Sequence, residues 1–138
     1  MKVALITDQH FGARNDSSTF LDFYEKFYTE TFFPKIKEAK VDAVLILGDT
    51  FDRRKYMNFY TLKRAKEMFF EPLACMGIQV FILAGNHDTY FKNTNDVNSV
   101  DLLLTEYPFK IIDEPQDIYV GPHKIAMMPW ICPENYEE

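Results

Sequence analysis

The stretch VDAVLILGDTFDRRK, residues 41–55, decides the fold, because a continuous apolar run stops there at a glycine and an acid. Residues 41–47 predict a β-strand buried on both faces, since a half-exposed strand would alternate apolar and polar residues. Asp49 follows the strand directly, and three cations follow Asp52. A turn with local side-chain hydrogen bonds would explain Gly48 and Asp49 equally well. The choice between a turn and a site depends on how the other strands end.

Two more apolar runs end in the same way. Residues 3–6 are followed by Asp8-Gln9-His10, and residues 78–84 are followed by Gly85-Asn86-His87-Asp88. Apolar residues recur at helical spacing over 19–39, 60–76 and 98–106. Pro34 is expected to kink or break the first of these helices near Phe33. Short strand-like pieces follow at 110–113, 118–120 and 124–128.

The predicted order is β-α-β-α-β-α-β, which indicates an α/β fold. Crossovers of this length imply parallel strands joined by right-handed βαβ units. Ligands of open parallel sheets bind beyond the carboxyl ends of the strands. The three polar strand ends are therefore expected to meet at one edge of the sheet.

The side chains at this edge suit a pair of divalent cations. Carboxylate, amide and imidazole donors together favour manganese, iron or zinc over calcium. Asp8 and His10 are two residues apart, so both could leave one face of an extended strand and bind one metal. Asp49 could bridge to a second metal, and Asn86 could bind that metal as a neutral donor. Two divalent cations and two aspartates leave a net charge of about +2, which attracts an anionic phosphate.

Other polar residues have roles beside the metals. His87 is predicted to be the general acid for the leaving oxygen, with Asp88 or another acid orienting it. Asp52 is predicted either to hydrogen-bond to a ligand or the loop, or to be simply solvated. The basic residues near the edge could contact phosphates or form a solvated surface; they are Arg14, Arg53 and Arg54.

Four motifs in this order resemble the calcineurin-like metallophosphoesterase superfamily: DQHFG (8–12), GDTFDRRK (48–55), GNHD (85–88) and MPWI (128–131). Within it they are similar to the SbcD-like DNA repair nucleases of the meiotic recombination eleven type, which include a phage recombination endonuclease subunit. The resemblance implies a layered β-sandwich flanked by helices, of which this chain carries the N-terminal βαβαβ portion. Relatives have further histidine ligands downstream, whereas this chain has only His10, His87 and His123. Residues 1–138 are therefore expected to be the N-terminal portion of a single nuclease domain, truncated at its C-terminal end.

The resemblance also implies a ligand set and partners. Asp8, His10 and Asp49 would hold one metal, and Asp49 and Asn86 would hold the other, with manganese as the metal. The implied activity is exonuclease and endonuclease cleavage of DNA, at duplex ends or in single strands, in recombination and double-strand break repair. The implied partner is an SbcC-like ATPase subunit.

Composition limits the remaining alternatives. The net charge of −6 argues against a surface built wholesale for nucleic acid, although metals could supply local positive charge. No apolar stretch is long enough to predict a membrane span, and the two distant cysteines are expected to be free thiols in a reducing compartment. The family resemblance implies the cytoplasm of a prokaryotic or phage-infected cell. The aromatic residues of 20–33 fit the core or a homodimer interface. The functional alternatives are a phosphoesterase for a nucleotide or phosphoprotein, and a non-catalytic form that binds DNA or a partner.

Overall fold

The computed structural model describes residues 1–92, 94–95, 97–134 and 136. Its helices and strands follow the predicted alternation. In chain order they are β1 (Val3–Ile6), α1 (Ala13–Asp16), α2 (Ser18–Phe27), a π-helical segment (Tyr28–Phe32), α3 (Phe33–Ala39), β2 (Ala43–Ile46), α4 (Phe59–Ala65), a second π-helical segment (Lys66–Phe70), α5 (Glu71–Cys75), β3 (Gln79–Leu83), α6 (Ser99–Leu103), β4 (Lys110–Ile112), β5 (Gln116–Val120) and β6 (His123–Met127).

The first four strands form one parallel sheet in the order β1-β2-β3-β4. Strand β2 lies in the centre, with Val3 opposite Ala43 on one side and Ala43 opposite Gln79 on the other. Strands β5 and β6 pair as a separate antiparallel hairpin. The predicted α/β class and the parallel βαβ order are therefore confirmed, and the carboxyl ends of β1, β2 and β3 lie at one edge.

The central sheet has apolar layers on both faces. Alternate residues of β2 enter different clusters: Val44 and Ile46 pack with the aromatic residues of the helices, whereas Ala43 and Leu45 pack against the β5–β6 hairpin. This two-sided burial explains why the strands read as continuous apolar runs. The helix-side cluster is rich in phenylalanine, including Phe11, Phe32, Phe33, Phe51, Phe69 and Phe70.

The helix expected to kink or break near Phe33 does not break there and remains helical through Pro34. The backbone N–H of Phe33 bonds to the carbonyl of Tyr28, five residues back, and α3 then begins. The same arrangement precedes Pro72, where the N–H of Glu71 bonds to the carbonyl of Lys66. Proline lacks a donor and crowds the preceding turn. A local widening to π geometry accommodates that crowding without ending the helix.

The aromatic residues of 20–33 divide between the core and the surface. Tyr28, Phe32 and Phe33 are buried, as the core interpretation predicts, whereas Phe23 and Phe27 are exposed. A homodimer contact through the exposed aromatic residues stays a prediction. Both cysteines are free thiols, and among the described residues every helix is too short or too polar to cross a membrane.

Candidate metal centre

Backbone hydrogen bonds join the first two predicted motifs beyond the end of the sheet. The N–H of Asp8 donates to the carbonyl of Gly48 at 3.1 Å, and the N–H of His10 donates to the carbonyl of Asp49 at 3.0 Å. A short parallel bridge between Phe11 and Phe51 continues this ladder. The residues predicted from separate strands are thus held side by side by the backbone.

Three of the predicted ligands have left-handed backbone conformations. The φ angles of Asp8, His10 and Asp49 are 52°, 47° and 51°. Such conformations are uncommon outside glycine and cost roughly 1–3 kcal/mol each. The hydrogen-bonded ladder keeps them in place. Four residues outside the ligand set share this conformation, namely Arg14, Asn15, Asp16 and Lys40, so the strain accompanies the site without being specific to it.

Gly85 lets the third motif approach the second. A Cβ atom at this position would overlap the backbone nitrogen and the carboxylate of Asp49. The close approach also lets the N–H of His87 donate to Asp49 Oδ1 at 2.8 Å. The glycine is therefore required by the geometry of the site and not only by the turn.

Asp8, His10 and Asp49 form one compact donor group. His10 Nε2 lies 3.5 Å from Asp8 Oδ1 and 3.8 Å from Asp49 Oδ2. The donor atoms of the three residues all lie within 4.8 Å of one another. Two carboxylates and one imidazole at this spacing fit a divalent transition metal.

Asp52 contacts both histidines of the site. Its Oδ1 lies 3.2 Å from His10 Nδ1, and its backbone carbonyl accepts a hydrogen bond from His87 Nδ1 at 2.7 Å. A carbonyl can only accept, so this contact places a proton on His87 Nδ1 and leaves Nε2 for proton exchange. The rings of His10 and His87 are 4.9 Å apart, edge to face. His10 Nδ1 has no hydrogen-bond partner among the described residues despite this proximity, so both interpretations of the Asp52 carboxylate stay predictions.

Asp88 has different contacts from those predicted. It is fully buried, and its carboxylate accepts hydrogen bonds from three backbone N–H groups: Gly85 at 2.8 Å, Phe51 at 3.1 Å and Thr50 at 3.4 Å. Burial, with a smaller contribution from Asp49, raises the pKa of Asp88 from 3.8 to about 6 despite these bonds. Asp88 ties the second motif to the third, while the Asp52 carbonyl orients His87. A catalytic role for Asp88 stays a prediction.

The predicted basic residues contact protein groups. Arg53 pairs with Asp16 at 3.1 Å and lies over the ring of Tyr56. The guanidinium of Arg14 lies 5.6 Å from the ring centre of Phe20. Contact of either residue with phosphate stays a prediction.

Of the three arginines predicted to lie near the sheet edge, Arg54 is the one that bonds to a predicted ligand. Its Nη2 donates to Asn86 Oδ1, the oxygen predicted to bind the second metal. Its Nη1 donates to Thr89 Oγ1 at 3.0 Å, and its guanidinium lies 5.2 Å from the ring centre of Trp130. Asn86 is thus at the site, with its oxygen already bonded to a cationic side chain.

Trp130 is a site residue to which the sequence analysis assigns no role. It lines an open cleft together with Asp8, Asp49 and Asn86. Its backbone N–H donates to the carbonyl of Ala84 at 3.0 Å, which fixes it beside the end of β3. The MPWI motif was the available signal, since it places an aromatic residue among the resembling motifs.

Comparisons with known proteins agree with this geometry. The chain is 29% identical, over its whole length, to "Exonuclease subunit 1" of Enterobacteria phage T4, and spans about 40% of the length of that relative. The calcineurin-like phosphoesterase family matches residues 1–130, which include all the strand-end motifs described above. This match covers most of the sequence, and the chain belongs to the calcineurin-like phosphoesterase family.

Proposed function

We propose that the chain takes part in metal-dependent hydrolysis of phosphodiester bonds in DNA, as an SbcD-like exonuclease and endonuclease subunit. The observation that carries the proposal is the grouping of Asp8, His10 and Asp49 within 4.8 Å, at strand ends of a calcineurin-like phosphoesterase. The phage relative is named as an exonuclease subunit, and this name supports DNA as the substrate.

The ligand roles follow from the donor atoms. Asp8, His10 and Asp49 would hold one divalent cation, and Asp49 and Asn86 a second, with manganese as the proposed metal. Bound divalent cations polarise a phosphate and lower the pKa of water, which supplies a nucleophile at neutral pH. Asp49 suits the position of a ligand shared by both cations. Its Oδ1 accepts a hydrogen bond from the His87 N–H, and its Oδ2 lies 3.8 Å from His10 Nε2.

His87 is the proposed general acid. Its Nδ1–H is fixed on the Asp52 carbonyl, so a proton on Nε2 could pass to the leaving oxygen. The Asp52 carboxylate beside His10 orients the neighbouring ligand. The fixed ring orientation means that proton transfer needs no rearrangement of His87.

The proposed partners are DNA, at duplex ends or as single strands, and an SbcC-like ATPase subunit. Recombination and double-strand break repair in the cytoplasm would be the setting. The name of the phage relative describes one subunit, which supports a partner subunit here.

The test compares three substrates in the presence of Mn²⁺: linear duplex DNA, a cyclic nucleotide and a phosphopeptide. We expect DNA to be cleaved fastest and Asp49→Asn to reduce cleavage by at least about 100-fold, since it alters both proposed cation positions. Asp117→Asn is the matched control, because Asp117 pairs with Lys124 in the β5–β6 hairpin.

Each other outcome favours a different function. Faster hydrolysis of the cyclic nucleotide or the phosphopeptide would favour a phosphoesterase for that substrate. DNA binding without hydrolysis of any substrate would favour the non-catalytic form.

A further inference from the structure

We propose that Arg54 and the second divalent cation compete for the side-chain oxygen of Asn86. Arg54 would thereby set the affinity of the second cation position. This inference rests on the proposed function, because it takes Asn86 as a ligand of that cation.

The contact concerns the one atom of Asn86 that a metal could use. An asparagine side chain has a single acceptor, its Oδ1, and hard divalent cations bind oxygen rather than the amide nitrogen. Arg54 Nη2 donates to this oxygen. The guanidinium and a cation bound to Asn86 would therefore share one oxygen atom, where their like charges repel each other.

Arg54 is held in this position by further contacts. Its Nη1 donates to Thr89 Oγ1 at 3.0 Å and to the Thr89 carbonyl at 3.4 Å. Thr89 is fully buried, and its hydroxyl also donates to the Asn86 carbonyl at 3.2 Å. The guanidinium further lies over the indole of Trp130. The arginine is thus tied to the same loop that carries Asn86.

Electrostatics gives the direction of the effect. A guanidinium within hydrogen-bonding distance of a ligand atom repels a divalent cation that approaches the same atom. The group at Asp8, His10 and Asp49 has two carboxylates, and no arginine bonds to it among the described residues. We therefore expect that group to fill first, and the position at Asn86 to fill only when the guanidinium of Arg54 moves away.

Trp130 makes this movement measurable. It is the single tryptophan of the chain, so its emission reports directly on the cation that lies over its ring. The native chain, Arg54→Gln and Arg54→Lys are titrated with Mn²⁺ by calorimetry and with Mg²⁺ by following Trp130 emission. Arg64→Gln is the matched control. Arg64 also lies over an aromatic ring, that of Tyr60, but it pairs with Asp22 and Glu25.

The expected result is a tighter second Mn²⁺ affinity in Arg54→Gln, on the order of tenfold in a partly screened site. Arg54→Lys keeps the charge and should stay closer to the native affinity; it also carries the test should the glutamine variant not fold. Mg²⁺ should change Trp130 emission in the native chain and in Arg64→Gln, but not in Arg54→Gln.

An unchanged or weaker second affinity in Arg54→Gln would overturn the inference, as would an emission change that survives in that variant. Both results leave the proposed metal centre standing, because each requires a divalent cation to bind. If neither the native chain nor Arg54→Gln bound Mn²⁺, the proposed centre itself would fail, and the inference with it.

Discussion

Asp88→Asn should change how the stability of the chain depends on pH. Burial raises the pKa of Asp88 in the folded chain from 3.8 to about 6. A carboxyl with a raised pKa favours folding while it is protonated, and this contribution is lost as the pH rises from about 4 through 6. Raising the pKa of Asp88 from 3.8 to about 6 corresponds to about 3 kcal/mol of unfolding free energy. Asparagine does not titrate, so the variant should not lose this contribution.

The assay is urea unfolding of the native chain and Asp88→Asn between pH 4 and pH 7.5, with a chelator present. The native chain should lose about 3 kcal/mol relative to the variant across this range. Near pH 4 the variant should be the less stable of the two, because both carboxyl oxygens accept from backbone N–H groups and the asparagine NH2 would replace one of these acceptors with a donor. Asp117→Asn, at an exposed position of the β5–β6 hairpin, controls for the loss of an acidic group. A stability difference that is independent of pH would refute the burial argument.

Three further changes test other parts of the structure. Gly85→Ala should destabilise the fold by about 1–3 kcal/mol in urea unfolding, because the new Cβ overlaps Asp49; native stability would show that the third motif does not approach the second so closely. His87→Ala should lower DNA cleavage by about 10²–10⁴-fold with Mn²⁺ affinity preserved, and cleavage at the native rate would remove His87 as the general acid. Phe69→Ala should cost about 3–5 kcal/mol by thermal unfolding, since Phe69 is fully buried among aromatic rings; a loss below about 1 kcal/mol, which is typical of a surface change, would contradict its place in the core.

Much of the fold follows from local patterns in the sequence. A strand buried on both faces must be apolar, so the run at 41–47, interrupted only by Asp42, identified β2 (Ala43–Ile46) to within two residues at each end. Polar residues directly after such runs identified the edge where Asp8, Asp49 and Asn86 meet. Parallel strands place their carboxyl ends together whatever the side-chain details, which is why the predicted ligands could be grouped before any distance was known.

The remaining features depend on contacts between distant residues. The bond between Arg54 and Asn86 spans 32 positions, and those from Asp88 to Thr50 and Phe51 span 38 and 37. Local spacing carries no information on such pairs. The cap of α6 shows the same limit on a smaller scale: Asn98 and Ser99 are both suitable caps by residue type, and Asn98 accepts the bond from the Asp101 N–H at 2.8 Å. Several polar residues stood side by side there, and the backbone conformation chose between them.

The most direct test of the central claim is an anomalous difference map from crystals of the chain grown with Mn²⁺. We expect a manganese peak at Asp8, His10 and Asp49, with distances of about 2.0–2.3 Å between the ion and the ligand atoms. Asp49→Asn crystals grown in the same way should show a weaker peak or none. Manganese bound elsewhere on the chain, with these three side chains free of it, would contradict the account.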